Sequence, residues 1–168
     1  ASAILLAPDI IRKIVLVWLG GHPHHYYDTN EFNLRQDPFA SRVGLDCGVP
    51  LVLIPCFNVT EHLTLTTNEV ETQVAPHGEI GRYLAHEFVQ YAHERGADSR
   101  AIWDMGPFAW LLDARAVETA LIPTPILGTS PQRAHGYFAP HLHKAPRQNK
   151  SQPAHCAWSL DPRRHLMR

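Results

Sequence analysis

Ile14, Val15, Leu16, Val17, Trp18 and Leu19 form an unbroken apolar run, stopped by Gly20-Gly21. No polar residue alternates within it. Such a strand has no face to offer water, so it belongs in a sheet covered on both sides, as parallel sheets are. Residues 49–55 repeat the pattern. Between the two runs, Asp37-Pro38 opens a helix. Aspartate is a strong N-cap, and proline suits the first helical position because its missing N–H would find no partner there. Gly48 suits the stop of that helix. Strand, helix and strand within about 40 residues make a βαβ crossover, whose expected hand is right.

Residues 79–95 read as the clearest helix. Ile80, Tyr83, Leu84, Phe88 and Tyr91 recur at helical spacing, and Gly96 ends the pattern. Ala101, Ile102 and Trp103 form a short strand candidate leading into Asp104, and Gly106-Pro107 opens another helix to about residue 113. Residues 121–127 are a proline-interrupted edge strand at best. The expected class is α/β: a partial open, mostly parallel sheet flanked by helices, spanning residues 1–127. From Gly128 the composition turns to Pro, His, Gln, Lys, Arg and Ser. Residues 128–157 therefore read as a disordered or irregular insertion. Residues 158–168, from Trp158, begin a closing segment.

At 168 residues and 45% hydrophobic content, the chain can bury one real core. Its formal charge of -1 creates no global field for nucleic acid or a membrane surface. No apolar run approaches the roughly 18 to 20 residues of a membrane helix. Neither nucleic acid nor membrane is expected as a partner. Cys47, Cys56 and Cys156 are odd in number and lack a C-x-x-C spacing. That argues against a disulfide framework or a zinc ribbon and for a reducing, cytoplasmic setting. The chain opens inside an apolar stretch, Ala3, Ile4, Leu5 and Leu6, and its first methionine is Met105. It reads as a piece of something longer.

Ligands of open parallel sheets bind beyond the carboxyl ends of the strands. One such end runs into Gly20-Gly21-His22 and then Glu31-Phe32-Asn33; the second runs into Cys56-Phe57-Asn58-Val59-Thr60; the third runs into Trp103-Asp104. Glu31 offers an acceptor-only carboxylate, and Asn33 an amide that donates and accepts. That pair suits a polyol. The competing reading is a polar loop with Phe32 plugged into the core. Asp104 can ligate a hard cation through oxygen, or cap the helix that follows it. His22, His24 and His25, like His141 and His143, have loop spacing that does not define a zinc site. No phosphate-cradling glycine motif and no nucleophile elbow is present.

Taken together, these segments resemble the inosine/uridine-preferring nucleoside hydrolase family. The likeness begins at Ala1-Ser2-Ala3-Ile4-Leu5-Leu6-Ala7-Pro8-Asp9 and continues through Gly20-Gly21 and Glu31-Phe32-Asn33, with Asp37 beyond. Gly48-Val49-Pro50-Leu51, Asn58-Val59-Thr60, Trp103-Asp104, Ala109-Trp110-Leu111-Leu112-Asp113 and Thr124-Pro125-Ile126-Leu127 follow in the family's order. Asp161-Pro162-Arg163-Arg164-His165-Leu166 looks like its closing segment.

The resemblance implies hydrolysis of the N-glycosidic bond of a ribonucleoside to ribose and free base, with water activated at a bound Ca²⁺. It implies that Glu31 and Asn33 bind ribose hydroxyls, that Asp104 is a calcium ligand, and that His25 stands where relatives carry a ribose-contacting asparagine. Trp103 marks the leaving-group region, where many relatives have a histidine. It also implies a small-molecule nucleoside partner and a homo-oligomer, dimer or tetramer, for the complete protein. The family's aspartate cluster, D-x-D-x-x-x-D-D, supplies the water-activating carboxylate and has no counterpart in this sequence. The chain alone is therefore expected to be inactive. Two other classes stay open: a non-catalytic ribose- or nucleoside-binding relative, and a histidine-dependent metal or interaction module in residues 128–155.

Overall fold

The computed structural model describes residues 1–23, 26, 29–130, 133–139 and 153–160, with side chains through residue 127. The chain opens with α1 (Ser2–Leu6) and a 3-10 turn, then forms β1 (Leu16–Leu19). Helices α2 (Phe32–Gln36) and α3 (Pro38–Asp46) lead to β2 (Leu51–Ile54). The two strands are parallel, with Leu16 opposite Leu51 and Leu19 opposite Ile54. This is the expected strand, helix, strand unit. Asp37 caps α3, its Oδ1 accepting from the Ala40 N–H at 2.9 Å. Gly48, at φ +82°, takes the chain out of the helix in a conformation that L side chains resist.

All of β2 is buried, and its side chains alternate between two cores. Val52, Ile54 and Cys56 join Leu19, Val59 and Val117 on one face, with Trp103 and Trp110 packed on them. Leu51 and Leu53 join Leu34, Leu45 and Leu127 on the other. Helices thus cover both faces, as an apolar parallel strand requires. β1 departs from expectation. Only Leu19 is buried there; among the described residues β1 lies at the outside of the sheet, with β2 as its neighbour.

Next come β3 (Thr64–Thr66), α4 (Thr67–Glu69), α5 (Gly78–His93) and β4 (Ser99–Ala101). The strand expected at 101–103 lies two residues earlier and outside the main sheet. It pairs antiparallel with β3, Leu65 opposite Arg100. Thr64 and Thr66 point to water, so this is a surface ribbon rather than a third buried strand.

Helix α5 forms where the spacing places it, but it buries a different face. Gly81, Ala85, Phe88 and Ala92 are inside. Ile80, Tyr83 and Leu84 are exposed. A Cβ on Gly81 would collide with the Val74 carbonyl oxygen. The small residues therefore allow the close approach, and of the apolar stripe only Phe88 follows them in.

After α6 (Met105–Leu112) come β5 (Val117–Pro123), β6 (Ile126–Ser130), β7 (Arg133–Ala139) and β8 (Pro153–Leu160). The single strand read at 121–127 is two strands, parted at Thr124-Pro125. Residues 128–130, 133–139 and 153–157 of the stretch expected to be irregular lie in strands, and 131–132 and 140–152 fall outside the described residues. β8 runs parallel to β2 and antiparallel to β5, giving the order β1-β2-β8-β5. The sheet is thus open and mostly parallel, with an antiparallel edge closed by Pro123. Among the described residues β5 is an edge strand, where the N–H that proline lacks is tolerated. Among the described residues, no helix is long and apolar enough to cross a membrane.

Helix α6 rests on the sheet through Gly106, which is buried. A Cβ there would fall well inside van der Waals contact with Thr60 Cγ2. Gly106→Ala is expected to lower stability by about 1–3 kcal/mol through overpacking. Urea unfolding should show a lower midpoint at an unchanged slope.

Candidate functional site

Two backbone bonds carry the β1–β2 pairing past the strands. The Gly20 N–H donates to the Ile54 carbonyl at 3.1 Å, and the Cys56 N–H to the Gly21 carbonyl at 3.0 Å. The carboxyl tips of both strands are therefore held side by side. Gly21 then turns the chain away at φ +72°.

Glu31 returns the loop to this point. It is 6% exposed. Its Oε2 accepts from the Gly21 N–H at 2.8 Å and the Leu34 N–H at 3.0 Å, and its Oε1 accepts from the Asn33 N–H at 2.9 Å. Glu31 is thus the N-cap of α2 and the staple of the β1 tip. Asn33 Nδ2 donates to the Leu19 carbonyl at 3.1 Å. That fixes the amide plane. Phe32 does not plug the core. It is exposed, with the Arg35 guanidinium 5.9 Å from its ring centre. As the first residue of α2 it faces away from the sheet that Leu34 packs against.

The β2 tip is built on Thr60, which is fully buried. Its hydroxyl donates to the Pro55 and Cys56 carbonyls at 3.3 and 3.2 Å. Asn58 sits in the left-handed region at φ +58°, one of the few conformations asparagine tolerates better than other side chains. Cys56 is buried. Burial first, then the charge and hydrogen bond of Glu31, then the charges of Asp104 and Glu61, push its pKa far above the ordinary value of 9.0. Glu31 binds the β1 tip through Gly21, and Asp104 lies two residues before Gly106, whose α-carbon meets Thr60 at the β2 tip, so both belong to the same rim of the sheet.

Asp104 reaches that rim from another direction. The Ile102 N–H donates to the Leu63 carbonyl at 2.8 Å, which ties β4 to the segment after Thr60. Asp104 occupies the N-cap position of α6, yet its side chain makes no capping bond and is exposed. The capping alternative is thus not realised. Trp103, half-buried, packs against the core cluster beneath the β1 and β2 tips. His25 lies outside the described residues. Cys56 and Thr60 were visible as a tip sequence, but their roles emerge only from pairing. The register carries one more signal: the offset that places Leu19 opposite Ile54 also places His22 opposite Phe57.

Fold and topology together define an α/β protein with an open, mostly parallel sheet. The inosine-uridine preferring nucleoside hydrolase family model matches residues 1–165, and the chain belongs to that family. No curated protein matches it. Among solved structures it is similar to a purine-preferring ribonucleoside hydrolase from Gardnerella vaginalis, with TM-score 0.70, 22% identity, 98% of this chain covered and 54% of the other. A plant nucleoside hydrolase gives TM-score 0.69 and 16% identity, covering 97% of this chain and 54% of the other. An inosine-uridine preferring nucleoside hydrolase from Bacillus anthracis gives 0.65 and 20%, covering 95% and 51%. At these identities the likeness is one of fold. The chain spans about half the length of each of them.

Cys56 should be chemically silent in the folded protein, since the thiolate is the reactive form and burial beside carboxylates opposes it. With iodoacetamide at pH 8, peptide mapping should show Cys47 modified at least about tenfold faster than Cys56. The two should react alike after denaturation. The folded state also keeps a proton that the unfolded state releases above the ordinary thiol range. Cys56 therefore contributes stability below that range and loses it as pH rises beyond it.

Proposed function

We propose that this chain forms the sugar-binding rim of a nucleoside hydrolase, which cleaves the N-glycosidic bond of ribonucleosides to ribose and free base. Family membership supports the reaction class. The observation that carries the site is the joining of the strand tips: the Gly21 N–H donates to Glu31, and the Cys56 N–H donates to the Gly21 carbonyl. In this reading Glu31, Asp104 and the Asn33 amide oxygen serve one sugar at those tips.

Their chemistry suits ribose. A carboxylate accepts about four hydrogen bonds. Three of those at Glu31 are taken by backbone N–H groups. That leaves capacity for about one more, the place proposed for a sugar hydroxyl. Asn33 adds an acceptor beside it. Cleavage develops positive charge on the sugar ring, and carboxylates fixed at that place stabilise such charge. Trp103, packed on the core cluster, is proposed to mark the leaving-group region. His25 is proposed to contact ribose.

In this reading Asp104 also gives one oxygen ligand to Ca²⁺. Calcium takes about six to eight oxygen ligands. Among the described residues, no group of three His, Cys, Asp or Glu side chains could hold a metal ion. The described residues do not make a calcium site by themselves, and what this chain contributes is binding and orientation. Incubated alone with inosine or uridine and calcium, the chain is expected to release no ribose in a reducing-sugar assay. Turnover abolished by Asp104→Ala would overturn the assignment of catalysis to groups outside it.

Binding tests the sugar grip more directly. Asn33→Ala is expected to weaken ribose binding about tenfold in calorimetry, the loss of one hydrogen bond of about 1.4 kcal/mol. Equal affinity for ribose in wild type and variant, with both folded by their melting profiles, would remove Asn33 from the site. If a longer protein containing this chain binds ribose but never hydrolyses nucleosides, the non-catalytic alternative is the correct one.

A further inference from the structure

Among the described residues, β1 has a strand on one side only. The Leu16 and Gly20 N–H groups are turned to β2, where they meet the Pro50 and Ile54 carbonyls at 2.8 and 3.1 Å. The backbone groups of a paired strand alternate in direction from one residue to the next. Val17 and Leu19 therefore turn theirs to the other edge. There the Leu19 carbonyl accepts from Asn33 Nδ2 at 3.1 Å. The Val17 N–H and carbonyl and the Leu19 N–H form a short open ladder.

A protein usually blunts such an edge with a lysine, a proline or a bulge. The run from Ile14 to Leu19 contains no lysine or proline, and its register with β2 is unbroken. Val15, at its start, is 59% exposed. Helix α6 packs on the same strand. Gly106 faces inward, whereas Met105, Phe108, Leu111 and Leu112 face solvent. An open apolar edge and an exposed apolar helix face thus lie on neighbouring elements.

Two properties select a second copy of this chain as the cover. The open ladder is centred on one residue: Val17 offers both a donor and an acceptor. When two β1 strands meet antiparallel, Val17 of each copy exchanges both bonds with the other. The next pair then sets the Leu19 N–H of one copy against the Val15 carbonyl of the other. Charge is the second property. Neither the run from Ile14 to Leu19 nor the outward face of α6 carries any, so identical surfaces meet without repulsion. A two-fold axis normal to the sheet keeps each face with its like. It sets both α6 helices on the same side of the seam.

We infer that this chain forms an isologous dimer through the open edge of β1, centred on Val17, with the apolar faces of α6 flanking the seam. The dimer does not depend on the sugar-binding reading. Asn33 caps the edge at Leu19, so the pairing stops short of the loop that carries Glu31.

Sedimentation equilibrium of the purified chain tests the seam, together with hydrogen exchange at single amides. Wild type should sediment at twice its own mass across micromolar concentrations. The Val17 amide should exchange more slowly as concentration rises, while the Trp18 amide, turned to β2, should stay constant. Val15→Lys places an ammonium in the seam at a position exposed in the single copy, and should weaken dimerisation at least about tenfold. Ile80→Lys, on the exposed face of α5, should leave it unchanged. A monomer whose Val17 amide exchanges rapidly throughout that range overturns the proposal and leaves the edge to a different polypeptide. A dimer that survives Val15→Lys with no change in affinity overturns it too, because the contact then lies elsewhere.

Discussion

The carboxylate of Glu31 organises the carboxyl edge of this sheet. It is buried, and it accepts N–H groups from Gly21 at the β1 tip and from Asn33 and Leu34 in the first turn of α2. A buried charge is tolerated when each lone pair has a donor aimed at it. Here those donors are backbone amides, which cannot rotate away. The carboxylate therefore closes the loop after β1, starts α2, and sets the direction in which Asn33 faces. The bond from the Cys56 N–H to the Gly21 carbonyl then brings the β2 tip to the same point. Without this anchor, the residues with ligand chemistry would sit on a loop of ten residues with no common frame.

Much of this was legible in the chain itself. Unbroken apolar runs at 14–19 and 49–55 mark the two parallel strands, and Asp37-Pro38 with Gly48 marks the helix between them. Those signals are local and strong, since caps and positive-φ glycines act through the adjacent backbone alone. The misreadings came from tertiary competition. In α5 the apolar stripe of Ile80, Tyr83 and Leu84 has the right spacing, but Gly81 and Ala85 allow a closer approach to the turn before them. At 99–101 three residues are too few for periodicity to distinguish a sheet strand from a surface ribbon. Pro153–Leu160 pairs with β2 and β5 from far along the sequence. No local pattern announces such a partner.

The candidate site divides in the same way. Glu31-Phe32-Asn33 after Gly20-Gly21 was readable as a motif, and Asp104 after an apolar run was readable as an isolated carboxylate. The use that the backbone makes of Glu31 was not readable, because it depends on how the loop folds back. Nor was the Cys56 environment, which arises from groups contributed by three separate segments. The motif names residues that meet; only the pairing of strand tips explains why they do.

The arm that carries Asp104 belongs to a different sheet from the arm that carries Glu31. No ladder of hydrogen bonds spans the gap between these two carboxylates. The second arm is tied to the segment after Thr60 by the Ile102 N–H to Leu63 carbonyl bond, and it rests there through the α-carbon of Gly106 against the Thr60 methyl. A support built partly on such a contact can be retuned by a single methyl group, which would shift Asp104 without altering either acid.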